Sequence, residues 1–159
     1  MDFDINQVMR EAIKLAWKSR EHNNHPFGAL LVDSTGKILL EAENTVDKDM
    51  DVTSHAEMNL ISMATKKYNK EFLKNCVIVC SAEPCAMCTG AIYWSNIGTI
   101  IYGISSQWLY EISDPEHKNS LNISCREVLE SGSRKVKVIG PVLEEEAREP
   151  HFDFWKFDN

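Results

Sequence analysis

Basic residues are scarce in this chain: 17 Lys and Arg stand against 24 Asp and Glu, giving a formal charge of -7 and a pI near 5.2. There is no arginine-rich arm or lysine tract, so the electrostatic footprint of a protein that lives on a nucleic-acid backbone is missing. With only 7 Gly and 5 Pro, collagen-like repeats and low-complexity linkers are excluded. No apolar run approaches the roughly 20 residues needed to cross a bilayer. The opening Met1-Asp2-Phe3-Asp4-Ile5-Asn6 lacks the basic and then apolar stretches of a secretory signal, so the expectation is a cytoplasmic protein without membrane association. The cysteines are Cys76, Cys80, Cys85, Cys88 and Cys125. An odd number without a sign of export argues against a disulfide framework and for metal binding or catalysis.

What remains is ordinary globular material, 159 residues with 43% hydrophobic and 26% charged side chains, enough for one core and one domain spanning 1–159. Ile5, Val8, Met9, Ala12, Ile13, Ala16 and Trp17 recur with helical spacing behind Asp4 as N-cap. Ala29–Val32 and Ile38–Leu40 flank the turn-rich Asp33-Ser34-Thr35-Gly36-Lys37 and predict a β-hairpin. Ser54 with Glu57 three residues on reads as a capping box opening a second helix. Cys76–Cys80 and Thr99–Tyr102 are short, β-branched, buried strands. A third helix lies between them, with Pro84 in its first turn. Gln107 to Asn119 reads as irregular, Ser120 to Glu130 as helical, Lys135–Ile139 as an outer strand, and a last helix starts near Val142. This alternation predicts a three-layer α-β-α sandwich with a mixed five-stranded sheet.

Chemistry concentrates at two places, His55-Ala56-Glu57 and Pro84-Cys85-Ala86-Met87-Cys88. Cys85 and Cys88, three apart, put both sulfurs on one helix face, in a first turn whose free N–H groups and positive dipole end favour thiolate. Histidine from the other helix N-terminus gives a third ligand if the two preceding strands lie side by side. One imidazole and two thiolates leave the fourth tetrahedral position of zinc to water, the layout of a catalytic site, and the ion lowers the pKa of that water from 15.7 to roughly 7. Glu57 is then placed to take a proton from water and return it to a substrate nitrogen. Each piece alone is weak: a Cys-x-x-Cys serves structural zinc or redox chemistry as readily, and Glu57 could be merely a capping carboxylate. Together, His-x-Glu and Pro-Cys-x-x-Cys, each opening a helix after a strand, form the pattern of zinc nucleobase deaminases.

From the first helix to about Ile104 the chain resembles the cytidine deaminase superfamily, in its guanine and tRNA adenosine deaminase branch. The resemblance implies that His55, Cys85 and Cys88 hold one zinc ion, that Glu57 shuttles protons, and that an exocyclic amino group is removed by hydrolysis with release of ammonia. Pro26-Phe27-Gly28-Ala29 and Ala91-Ile92-Tyr93-Trp94 resemble segments of bacterial guanine deaminases, which implies that Phe27 stacks on a base, that Trp94 lines its pocket, and that guanine converted to xanthine is the leading reaction. Asn44 matches the asparagine that binds substrate across the branch, and Ala56 joins the substrate-binding set. The resemblance leaves Glu111, Asp114 and Glu116 as alternatives for an acidic substrate-binding residue. Adenosine in tRNA and cytosine or a nucleoside are the alternative substrates, and a non-catalytic zinc scaffold is the alternative outside enzymes. Phe152, Phe154, Trp155 and Phe157 crowd into the last eight residues of a chain with 4 Trp, 4 Tyr and 6 Phe. Such a tail, about 148–159, is expected to bury as a final helix or to close over the zinc pocket as a lid, with Phe154, Trp155 and Phe157 its aromatic contacts. From Glu144 onward the chain carries Glu144, Glu145, Glu146, Glu149, Asp153 and Asp158 against Arg148 and Lys156, a balance that repels phosphate and makes tRNA the less favoured partner. A homodimer is expected from the resemblance.

Overall fold

The computed structural model describes residues 1–156. Helix α1 (Ile5–Glu21) begins where the Asp4 carboxylate accepts from the Asn6 N–H at 2.9 Å, and it ends with basic side chains in its last turn. The hairpin follows as β1 (Gly28–Val32) and β2 (Ile38–Glu43). A single turn, α2 (Val46–Asp49), precedes α3 (Ala56–Lys67), and another, α4 (Lys70–Leu73), precedes β3 (Val77–Ala82). Then come α5 (Ala86–Ser95), β4 (Thr99–Ile104), α6 (Ser106–Ser113), α7 (Cys125–Glu130), β5 (Lys137–Ile139), α8 (Glu144–Arg148) and a 3-10 turn at Glu149–His151.

The five strands form one sheet in the order β2-β1-β3-β4-β5. Strand β1 is antiparallel to both neighbours, while β3, β4 and β5 run parallel, so the sheet is mixed as the alternation predicts. All five β1 residues are buried, because successive side chains serve opposite faces and both faces are covered. Leu30 and Val32 join Val8, Met9, Ala12, Ile13 and Leu15 of α1 and Ala147 of α8. Ala29 and Leu31 join Leu60 and Ala64 of α3, Ile92 of α5 and Leu129 of α7. The result is the expected three layers. Gly28 lets α1 lie against the sheet, since a Cβ there would sit 2.4 Å from Leu15 Cβ and 2.8 Å from the Ala12 carbonyl oxygen.

Several local expectations are corrected. The N-cap of α3 is His55, so the Ser54–Glu57 capping box does not form; the capping box present is Ser124–Glu127 at α7. Pro84 precedes the α5 N-cap, Cys85, which suits a ring that restricts the residue before it and lacks an N–H. The stretch read as irregular contains α6, started by the Ser105 hydroxyl accepting from Trp108 N–H at 3.3 Å. The helix read from Ser120 occupies only Cys125–Glu130. Strands β2 and β3 are separated by β1 rather than side by side; being antiparallel to the same strand, they still point the same way. No helix among the described residues is long and apolar enough to cross a membrane.

Candidate functional site

Because β2, β3 and β4 all run in one direction, their carboxyl ends and the start of β1 share one sheet edge, the usual place for a ligand in an open α/β sheet. The segment after β2 delivers His55, and the segment after β3 delivers Cys85. Each of the two residues is an N-cap with extended backbone, φ -64° and -67°, and neither side chain caps its own helix. Both are therefore free to face the space between the two helix N-termini. His55 Nδ1 lies 3.7 Å from Cys85 Sγ and 3.5 Å from Cys88 Sγ, and the three ligand atoms lie within 4.8 Å of one another. Bond lengths of about 2.3 Å to sulfur and about 2.0 Å to nitrogen at tetrahedral angles would separate N from S by about 3.5 Å. The donor set and its spacing thus fit one zinc ion.

The proton bookkeeping agrees. A hydrogen bond from the Cys88 side chain, aided by His55 and opposed by burial, pulls the Cys85 thiol down to about 4. Its bond to Cys85, then burial, raises Cys88, and binding a metal would displace the thiol proton there. Glu57, 6% exposed, is the second residue of α3, and its Oε2 accepts from Cys88 Sγ at 3.6 Å. Burial, then the charge on Cys85, pushes its carboxyl up to about 7, where a carboxylate both takes and returns protons in neutral water.

Beside this triad is a cavity of about 200 Å³ whose lining includes Phe27, Asn44, His55, Glu57, Cys85 and Trp155. Phe27 and Trp155 adjoin at a tilt of 52° with ring centroids 6.1 Å apart, and Phe154 meets Trp155 edge-on at 5.0 Å. Asn44 Oδ1 accepts from the Val46 N–H at 3.1 Å, which fixes the amide and leaves Nδ2 as the group available to a ligand. Ala56 is fully buried as the first residue of α3, where backbone N–H groups have no intrahelical acceptor.

Trp94 is the residue the structure does not bring to the cavity. It is 76% exposed on α5 and lies along a separate groove with Gly90, Tyr93 and Val128. Ile92 faces the core, and a residue two further on points to the far side of the helix. None of the three acidic candidates reaches the cavity either. Asp114 accepts from the N–H groups of Lys118, Asn119 and Ser120, Glu116 pairs with Lys118, and Glu111 lines a wider polar groove beyond Glu83 and Tyr110. Phe157 lies outside the described residues.

The cavity also uses residues not foreseen: His25, Glu83, Leu109, Tyr110 and Ser113. Glu83, 7% exposed, ties the ligand-bearing loop to the next two helices, its Oε2 accepting from Ser106 N–H at 2.8 Å and its Oε1 from Cys125 N–H at 3.1 Å. Tyr110, its hydroxyl raised by burial, comes from α6. The available signal was Ser105 followed three residues later by Trp108-Leu109, an N-cap ahead of an apolar pair.

Comparison with known proteins gives a consistent picture. Residues 3–104 match the family model for the cytidine and deoxycytidylate deaminase zinc-binding region. The chain is 39% identical over 148 residues to a probable cytosine deaminase of Schizosaccharomyces pombe, covering 92% of this chain and 90% of that one. It is 32% identical to a tRNA-specific adenosine deaminase of Bacillus subtilis, covering 87% and 80%. The guanine deaminase structure from Nitrosomonas europaea superposes with a TM-score of 0.76 over 92% of this chain and 82% of that one, at 22% identity.

Proposed function

Because this chain belongs to the cytidine and deoxycytidylate deaminase family of zinc-dependent hydrolytic deaminases, we propose that it acts on a free single-ring base, cytosine, converting it with water to uracil and ammonia. The observation that carries the choice of a free base is the enclosure of the cavity: it holds about 200 Å³, below the roughly 300 Å³ at which pockets for drug-sized ligands begin, and the chain's own Trp155 forms part of its wall. A base still attached to an anticodon loop would need that wall removed. Trp94, one of two aromatic supports for guanine, lies elsewhere. The choice of cytosine among free bases rests on the likeness to the S. pombe relative, matched over nearly its whole length.

In this reading His55 Nδ1 and the Cys85 and Cys88 sulfurs hold the zinc. When bound, the ion supplies a Lewis acid that makes its water a nucleophile at neutral pH. Phe27 and Trp155, adjoining walls of the cavity, give the flat base an aromatic surface to pack on. Asn44 Nδ2 donates to the base carbonyl. Glu57 moves protons from water to the ring nitrogen and then to the departing amino group, a task suited to a carboxyl poised near 7. Phe154 and Trp155 exclude bulk water.

The test is ammonia release by zinc-loaded protein from cytosine, guanine, adenine and their nucleosides. Cytosine is expected to be turned over with the largest kcat/KM. Preference for guanine would replace the substrate while leaving the residue roles intact, and inertness toward every compound would remove the proposal.

A further inference from the structure

The tail over the cavity contains one buried group that packing does not explain. His151, in the 3-10 turn Glu149–His151, is 2% exposed. Its Nδ1 accepts from Trp155 Nε1 at 3.1 Å, and the two rings stack with planes 13° apart and centroids 6.1 Å apart. An indole N–H can only donate, so Nδ1 carries the lone pair and the neutral ring has its proton on Nε2. That Nε2 is buried without a hydrogen-bond partner among the described residues. A phenylalanine or leucine would fill the same space without stranding an N–H, which protein interiors avoid. What histidine adds is the acceptor at Nδ1.

The surroundings explain why the indole needs it. Trp155 meets His25, Phe27 and Phe154 through ring contacts at 5.4, 6.1 and 5.0 Å, which tolerate rotation of the indole about its own axes; the bond to His151 is directional. Phe27, another cavity wall, also meets His151 edge-on at 5.3 Å. We infer that His151 is the positioning residue of the tail, its neutral Nδ1-acceptor form orienting Trp155 as a wall of the substrate site. This rests on the reading of Trp155 as part of the base site.

Burial, more than the charged groups around it, keeps the ring neutral. From α1, Arg20 donates to the carbonyls of Pro150 and Phe152 at 2.9 and 2.6 Å, on either side of His151. From α8 come Arg148 and its partner Glu144, 3.2 Å apart, and α6 presents the Trp108 ring. His25 approaches from the segment before β1 through Phe154 and Trp155. Burial, with the positive charge of Arg20 adding to it, pushes the imidazole down to about 3.

Nitrogen-15 NMR of full-length, zinc-loaded protein labelled at histidine tests this without substrate. The expected spectrum has His151 unprotonated at Nδ1, protonated at Nε2, and unchanged between pH 8 and 5. A proton on Nδ1, or a midpoint near the ordinary 6.5, overturns the inference. Kinetics supply the second arm. His151→Phe is expected to raise KM about tenfold, the scale of one lost hydrogen bond, with kcat little changed. His151→Asn, whose Oδ1 takes the place of Nδ1, recovers most of that loss. Trp155→Phe, which also trims the wall, raises KM at least as much as His151→Phe, and adding His151→Phe to it costs nothing further. Additive losses, or an Asn variant no better than Phe, mean that the ring only packs. If no base is turned over, the proposed substrate fails while the spectrum still decides the role of His151.

Discussion

Glu57 and His151 are both buried titratable side chains, and their environments push them in opposite directions. Burial drives the Glu57 carboxyl up to about 7 and the His151 imidazole down to about 3, because in each case it disfavours the charged form. Two predictions follow at this scale. Glu57→Gln keeps the size and one acceptor oxygen of the side chain but cannot carry a proton. It is expected to retain one zinc per chain by atomic emission while ammonia release falls about 100- to 10,000-fold, the range assigned to general acid–base catalysis. For His151, the unfolded imidazole titrates at an ordinary 6.5 and the folded one at about 3. Between those values the unfolded chain binds more protons, so this contribution to stability is complete above 6.5 and is lost as pH falls. Urea titrations at pH 7 and pH 5 should differ by about 2 kcal/mol from this group. His151→Phe should lose that part of the pH dependence. The zinc ligands were readable in the chain because their spacing is local to two helix starts. Trp94 does not line this cavity because its neighbour Ile92 faces the core and it does not.

Helices α6 and α7 carry or support cavity residues, yet neither is joined to the zinc-bearing loop by sequence proximity. Glu83 makes that connection, one carboxylate oxygen serving the first N–H of each helix, where a negative charge also meets the positive end of each helix. Glu83→Ala would strand two buried donors, each costing about 1–3 kcal/mol. The expected loss is about 2–6 kcal/mol in urea denaturation, with KM rising as Leu109, Tyr110 and Ser113 lose their registration on the cavity. The misreading of α6 has the same origin. Gln107 to Asn119 looked polar and irregular because α6 is short and only Leu109 among its large side chains is buried, so its periodicity is thin. Its start is held by Ser105 nearby and by Glu83, which is distant in sequence.

Across the whole molecule the charge of -7 bears on the class of substrate. If a free neutral base is the substrate, kcat/KM for cytosine should change less than about twofold between 50 and 500 mM salt; an enzyme that gathers phosphates would lose orders of magnitude over a similar span. A steep salt dependence would point back to nucleic acid. The layered architecture was legible from the chain because period-2 and period-3.6 patterns report locally on which face is buried. The zinc triad and its carboxylate were legible because two short motifs at helix starts carry all four side chains. What tertiary structure alone decided was the interposition of β1 between β2 and β3, the arrival of α6 and the Trp155 tail at the cavity, and the departure of Trp94 from it. Those depend on strand order and on contacts between residues far apart in sequence, such as His25 with Trp155 and Glu83 with Cys125. No local pattern encodes such contacts, because the side chains that meet there are brought together only when the sheet is assembled.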